Sequence, residues 1–339
     1  MTPERFHEIT SRYAQLKIAL IGDIALDRYL HIDASLAAVS LETGLAVHNV
    51  TEVRPQPGAG GNVLANLSAL GPAALVAVGW SGNDGEGLEL RRTLHVLGVD
   101  LMHFLSCRDR MTFTYTKPLI IRPGQLPEEL SRIDIRSRTP TPREVEDEII
   151  ERLCLAAEDA DVTVAMDQVP EPQTGVLTHR VKAALADVAR SFPDKIFIAD
   201  SRTSIGDYRD VRIKANRAEV AHHFDVPPET ADIPQLALRW SDQLGQDVFV
   251  TMGEDGVVVA SKGVATHVPG VPVEPPIDIV GAGDTVLGGI AMALAAGATA
   301  VEAAEMGNLG AAVTIKKIGT TGTANIDELR AVFERQPKA

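Results

Sequence analysis

The sequence predicts an α/β protein, a three-layer αβα domain built on a mainly parallel, doubly wound sheet with a small β lid. Short β-branched apolar runs alternate with stretches of helical spacing, and the loops between them are short. Carboxylates or glycines stand at the C-terminal ends of several of those runs, where open α/β sheets place their ligand crevice. The 339 residues are read as one domain over 1–339, with lid segments at about 28–56 and 101–122. A net charge of 32 − 46 = −14 argues against nucleic acid or an anionic membrane as partner. Cys107 and Cys154 form no disulfide framework, and no cluster has metal-ligand spacing. Residues 1–15 are charged and amphipathic, so a surface helix is expected there rather than a signal peptide. The only long uncharged apolar run is an Ala/Gly-rich helix too short to span a bilayer. A cytoplasmic location is therefore expected.

Residues 17–22 end in glycine and read as a strand buried on both faces, with Asp23 and Asp27 following at its C-terminal end. Asp27 can accept two hydroxyl hydrogen bonds from a sugar, or it can cap a turn; spacing does not separate the two. Residues 45–54 partly alternate, as a half-exposed strand does. Pro57-Gly-Ala-Gly-Gly-Asn62 then opens a helix over 63–70 that stops at Gly71-Pro72. No Gly-Lys-Ser/Thr follows, so this is not a Walker phosphate loop. Gly58, Gly60 and Gly61 would let a polyol lie against backbone, with Asn62 as donor and acceptor, or would simply start the helix. A strand at 75–79, a helix at 84–97 and an alternating strand at 111–122 come next. Between 108 and 138 seven basic residues outnumber four acids, a pattern that fits a substrate phosphate or a charge-mixed solvated loop.

A Glu-rich helix over 142–160, a strand at 162–166 ending near Asp167, a helix at 176–191 and a strand at 195–200 continue the alternation. Asn216 and Glu219 follow a short strand at 211–214, three apart on a helix start. A capping box explains that pair without any function. Residues 247–251 and 256–260 form an expected hairpin around 252–255. Helices at 301–317 and 327–335 close the chain.

The stretch from Asp278 to Gly289 carries the chemistry. From Ala282 to Ala296 almost every residue is small or apolar, so a helix buried on nearly all sides is expected, with Gly297 as its stop. Gly281 and Gly283 fall at its N-terminus, where unpaired N–H groups attract anions, and their lack of Cβ lets a phosphate approach. Asp284 lies in the first turn, where the helix dipole favours its ionised form. An anion hole beside a fixed carboxylate suits phosphoryl transfer to a hydroxyl. A capped turn before a core helix is the plainer reading.

Gly281-Ala-Gly-Asp-Thr285 followed by a glycine-containing apolar helix resembles the C-terminal signature of the ribokinase-like (phosphofructokinase B) sugar kinases. The resemblance implies Asp284 as base and the N–H groups of Ala282, Gly283 and Asp284 as anion hole. It implies a sugar site at Asp27, Gly58, Gly60, Gly61 and Asn62, with Asp167 nearby and Lys117 and Arg132 on any substrate phosphate. Asn216 and Glu219 would position Mg2+ (Glu219 indirectly) and the phosphates of ATP. Thr251, Gly253 and Gly256 would form a nucleotide-side loop, with Asn308 near adenine. In some relatives a monovalent cation, K+ here, would be held at Asp278, Val280, Gly319 and Thr323. The family also implies a lid used for dimerisation. Within it the chain looks most like the heptose 7-phosphate kinase branch, through Gly22-Asp-Ile-Ala-Leu-Asp-Arg-Tyr29, 54–63, and Thr116-Lys117 with Arg132-Ile-Asp134. It departs at Met166-Asp-Gln-Val-Pro-Glu-Pro172 and at Asp200-Ser-Arg202, where Arg202 is expected to keep a cationic contact. From the length, no second, nucleotidyl-transferring domain is expected. A nucleoside kinase and a catalytically silent sugar-binding regulator are the alternatives; low aromatic content leaves few platforms for a base. A nicotinamide dehydrogenase would need Gly-x-Gly-x-x-Gly after the first strand, which is absent.

Overall fold

A computed structural model describes residues 1–319 and 321–336. Helix α1 (Pro3–Arg12) starts on a Thr2 cap and lays Phe6 and Ile9 against the sheet. Strand β1 (Lys17–Gly22) then enters the core and passes almost directly into β2 (Ile24–Asp33) of a second sheet. The chain continues through β3 (Val50–Ala59), α2 (Gly60–Ala69), β4 (Ala74–Gly82), α3 (Gly85–Val96), β5 (Phe104–Cys107), β6 (Thr114–Ile121) and β7 (Ile133–Ile135). The second half runs α4 (Arg143–Asp159), β8 (Val162–Asp167), α5 (His179–Ser191), β9 (Ile196–Ser201) and β10 (Arg212–Asn216). After α6 (Arg217–His223) and α7 (Ile233–Leu244) come β11 (Val248–Thr251), β12 (Val257–Ser261), β13 (Val264–Val268), α8 (Ala282–Ala295), α9 (Ala300–Thr314) and α10 (Ile326–Arg335).

The main sheet has the order β13-β12-β11-β10-β9-β8-β1-β4-β5, parallel from β11 to β5 and antiparallel at β12 and β13. Successive residues of each strand feed opposite cores, as the pleat requires. Ile18 and Leu20 join α1, α2, α8 and α9 on one face; Ala19 and Ile21 join α4, α5 and α7 on the other. Covering on both faces is why these strands read as continuous apolar runs. Strand order reverses at β1, which has β8 on one side and β4 on the other. The crevice at the C-terminal ends of β1, β8, β9 and β10 is thus the place for a ligand.

The small sheet has the order β7-β6-β2-β3, with a two-residue strand at Glu128–Glu129 also on β6. It therefore takes in 24–33, 50–59, 114–121 and 133–135. Residues 104–107, expected in the lid, instead extend the edge of the main sheet beside β4. Asp23 joins the two sheets. Its buried carboxylate accepts the N–H groups of Gln168 (2.9 Å), Val169 (3.0 Å) and Val176 (2.8 Å). Burial, and then the charge of Asp167, push its pKa up to about 6.

Candidate active site

The backbone enters α8 through Gly281, whose φ of +82° lies in the left-handed region that favours glycine. The next N–H, that of Ala282, donates to the Ile279 carbonyl at 3.2 Å, which removes it from the expected three-donor anion hole. Among the described residues no acceptor meets the N–H groups of Gly283 and Asp284. Those two form the open end of the helix.

An ammonium flanks that end. A Cβ placed on Gly283 would stand 3.3 Å from Lys214 Nζ. Lys214 projects from β10 between buried Ile213 and Ala215, and its Nζ lies 2.6 Å from Asp200 Oδ2 at the end of β9. Both partners are buried. Burial works against the lysine charge, but Asp200, joined by Glu219 and Asp284, holds the pKa above the ordinary lysine value. Sequence reasoning missed this residue. Its signal was a lysine inside an apolar strand, which is rarely tolerated without a partner.

Asp284 is partly buried and accepts Asn62 Nδ2 at 3.2 Å. Burial pushes its pKa up to about 7, opposed by Lys214 and by the Asn62 hydrogen bond and reinforced by Asp200 and Asp27. The dipole argument favoured the ionised carboxylate. Desolvation overrides it, and the group is poised near neutrality, which matches the needs of a general base.

On the other side of Asp284 the small sheet presents one face. Asp27, Tyr29, Arg54 and Lys117 share it, because Tyr29 is paired with Arg54 on β3 and with Lys117 on β6. Lys117 Nζ lies 2.7 Å from Asp27 Oδ2 and 3.2 Å from Tyr29 Oη. Burial lowers the Lys117 pKa, Asp27 raises it, and the net result lies above the usual value. The Tyr29 ring carries Arg54 (4.3 Å) as well as Lys117 (4.7 Å). Gly58 is required here, since a Cβ would come 2.6 Å from Asp27 Oδ1. Gly60 and Gly61 are buried and close-packed instead: a Cβ would meet the Asp23 carbonyl at 2.9 Å and Pro57 Cβ at 2.5 Å respectively. They shape the α2 start rather than line the site.

Asp167 is also corrected. Its Oδ2 is taken by Lys182 (2.9 Å), Ser201 (2.9 Å), Ser204 (2.8 Å) and Tyr208 (3.3 Å), so this carboxylate is satisfied in the interior. The basic excess over 108–138 is largely neutralised as well. Arg110 is buried against Trp80 and the Thr139 and Pro140 carbonyls. Arg132 forms a two-pronged pair with Asp134 (2.6 and 2.9 Å), and Arg136 and Arg138 reach Glu171, an acid outside the counted span.

Asn216 and Glu219 make the full capping box of α6: Glu219 N–H reaches Asn216 Oδ1 at 2.9 Å, and Asn216 N–H reaches Glu219 Oε2 at 2.7 Å. The same residues line a cleft of about 570 Å³ with Arg202, Ser204 and His222. Burial and Asp200 raise the Glu219 pKa. Among the described residues no group of three His, Cys, Asp or Glu is placed to hold a metal. Gly253 (φ +66°) and Gly256 (φ +91°) shape the turn between β11 and β12, where Thr251 Oγ1 donates to the Ala215 carbonyl at 3.3 Å. Asn308 is buried and donates to the Val268 (3.3 Å) and Pro269 (2.9 Å) carbonyls, so its amide fixes that loop instead of being free for adenine. Asp278 accepts the N–H groups of Val280 and Gly319, whereas the Thr323 carbonyl accepts the Lys317 ammonium; Thr320 is outside the described residues.

The model of the pfkB family carbohydrate kinases matches residues 175–327. The chain is 32% identical over 322 residues to the bifunctional protein HldE of Azorhizobium caulinodans, covering 94% of this chain and 64% of that protein. It is 28% identical to HldE of Gluconobacter oxydans, covering 95% and 65%. The chain thus spans just under two thirds of the length of these curated relatives. In fold it is similar to phosphofructokinase-2 from Escherichia coli in complex with potassium (TM-score 0.72, 16% identity, 94% of this chain and 99% of that one). It is likewise similar to Arabidopsis thaliana ribokinase complexed with ribose and ATP (TM-score 0.70, 16% identity, 95% and 100%).

Proposed function

We propose that this chain, which is similar to the pfkB family carbohydrate kinases over residues 175–327 and has a ribokinase-like fold, moves the γ-phosphoryl group of ATP, with Mg2+, to a hydroxyl of a sugar phosphate of the heptose 7-phosphate kind. The observation that carries this reading is Asp284, joined to Asn62 on the sugar side and flanked by the Lys214 ammonium on the other. An acceptor hydroxyl placed against Asp284 gives up its proton to the carboxylate as its oxygen attacks phosphorus. The Gly283 and Asp284 N–H groups and Lys214 offset the charge on the transferring phosphoryl oxygens. Glu219, with Asn216, would hold Mg2+ through its water and phosphate ligands, and Arg202 would meet the phosphates, in the cleft these residues line. Asp27 orients sugar hydroxyls, and Lys117 and Arg54 meet a phosphate already on the acceptor. The heptose branch is supported by the HldE relatives and by the motifs at 22–29 and 54–63.

A nucleoside acceptor is disfavoured, because the Tyr29 ring is already covered by two cations, and the Tyr115 ring opposite Asp27 by Arg132. ADP release from ATP and Mg2+ across sugars, sugar phosphates and nucleosides tests the reading. Turnover confined to a sugar phosphate, and lost by ~10²–10⁴ in Asp284→Asn, is expected. Turnover on nucleosides alone would replace the acceptor class, and ATP binding without turnover on any acceptor would favour a silent regulator.

A further inference from the structure

The monovalent cation implied at Asp278, Val280, Gly319 and Thr323 does not fit the donors these residues present. A K+ ion needs a shell of free oxygens in place of its water. Asp278 Oδ1 accepts the Val280 N–H and Oδ2 accepts the Gly319 N–H, each at 3.1 Å. The Thr323 carbonyl accepts the Lys317 ammonium at 2.6 Å, and Glu328 Oε1 holds the same ammonium at 2.7 Å. Lys316, the preceding residue, sends its ammonium to the Glu274 carbonyl at 2.8 Å.

The two lysines therefore occupy backbone oxygens on both segments that a cation would bridge. One segment, 274–280, feeds the anion hole; the other, at 317–319 and 321–323, comes up to it at Thr321. The coupling between them is tight, since a Cβ on Gly281 would lie 3.3 Å from Thr321 Cγ2. The lysine stem is packed too: a Cβ on Gly322 would meet Lys317 Cβ at 2.9 Å and Cδ at 3.0 Å. An ammonium is a compact single charge with three donors, enough for the acceptors found here. A second cation beside it would be repelled.

We propose that the Lys317 ammonium, supported by Lys316, takes the place of the monovalent cation as a tethered positioning charge behind the anion hole. Phosphoryl transfer then needs no K+. The inference rests on the kinase reading for its turnover test and stands apart from it in its binding test.

The chain is exchanged into tetramethylammonium buffer and titrated with K+ at constant ionic strength, following Tm and, with the acceptor, turnover. Wild type is expected to show no change in either. A Tm that climbs with K+ concentration, as a ligand of the folded state requires, would overturn the proposal. So would Rb+ located by anomalous diffraction on Asp278 and Val280. Lys317→Met is expected to lose at least several-fold in kcat without K+ and to recover with it, whereas Glu328→Gln, which leaves the ammonium in place, stays indifferent to K+. Full activity of Lys317→Met without K+, or a loss that K+ does not reverse, would also contradict it. If no acceptor is turned over the kinase reading fails, while the Tm and Rb+ results still decide the fate of the cation.

Discussion

At Asp284 two demands on a carboxylate meet: the helix N-terminus favours its charge and burial opposes it. Burial prevails, and a pKa of about 7 places the rise of kcat/KM near neutral pH, since the base must be ionised. Lys214 pulls that value down, so Lys214→Met combined with Asp200→Asn, which leaves no unpaired buried charge, tests how the pair sets it. Removing the ammonium raises the pKa and removing the carboxylate lowers it, and the Lys214 effect is the larger. The limb of the pH profile is expected to move upward, and an unmoved limb would show that the pair does not tune the base. Stability carries the same information. A folded-state pKa above the unfolded value of 3.8 stabilises the fold fully below that value, and the contribution is lost as pH rises through about 7. Asp284→Asn should therefore gain on wild type between about pH 4 and pH 8, by on the order of 1 kcal/mol or more in urea melts. A stability difference independent of pH would contradict the shifted value. Asp284 and Asn62 were legible in the sequence because glycines marked both turns. Lys214 was not, because its meaning depends on Asp200 from the neighbouring strand and on α8 packed across them.

Among the elements, the turn from β3 into α2 holds an unusual backbone. Ala59 has φ +53° and ψ −124°, a region that costs a residue with a Cβ of order 1–3 kcal/mol. Ala59→Gly should raise stability here, although the same change usually lowers it, and a lower Tm would show that the turn is not strained. Gly281→Ala is the opposite case, predicted to lose about 1 kcal/mol at φ +82° and to reduce kcat by disturbing the anion hole. Most of the main-sheet strands and the buried helix α8 were readable, since runs covered on both faces leave a plain apolar signal. Strands β5 and β7 were not: they are short, and their pairing is set by partners distant in sequence. Helix α7 was hidden by the prolines around it. Pro234 sits in its first turn, where proline is tolerated, and Ile233, Ala237 and Trp240 form its buried face.

For the whole molecule, the proposed reaction divides the work between two sheets: the crevice of the main sheet would take nucleotide and supply the base, and the small sheet would take the acceptor. Between β2 and β3 the hairpin at 38–47 exposes Val39, Leu41 and Leu45, and β3, at the edge of the small sheet, exposes Val50 and Val53. An exposed apolar edge of this kind supports the proposed homodimer through the lid. Light scattering should find a dimer, and Val53→Asp should weaken it; a wild-type monomer at all concentrations would sink the idea. The basic run at 108–138 shows why charge counts mislead at this scale, because Glu171 arrives from another segment to neutralise it. The most direct test of the central claim is single-turnover transfer of the labelled γ-phosphoryl group of ATP to a heptose 7-phosphate, followed across pH in wild type and Asp284→Asn. Label on the sugar, at a rate that rises through about pH 7 and collapses in the variant, is the predicted result. Equal transfer by the variant, or a rate flat in pH, would contradict Asp284 as the base.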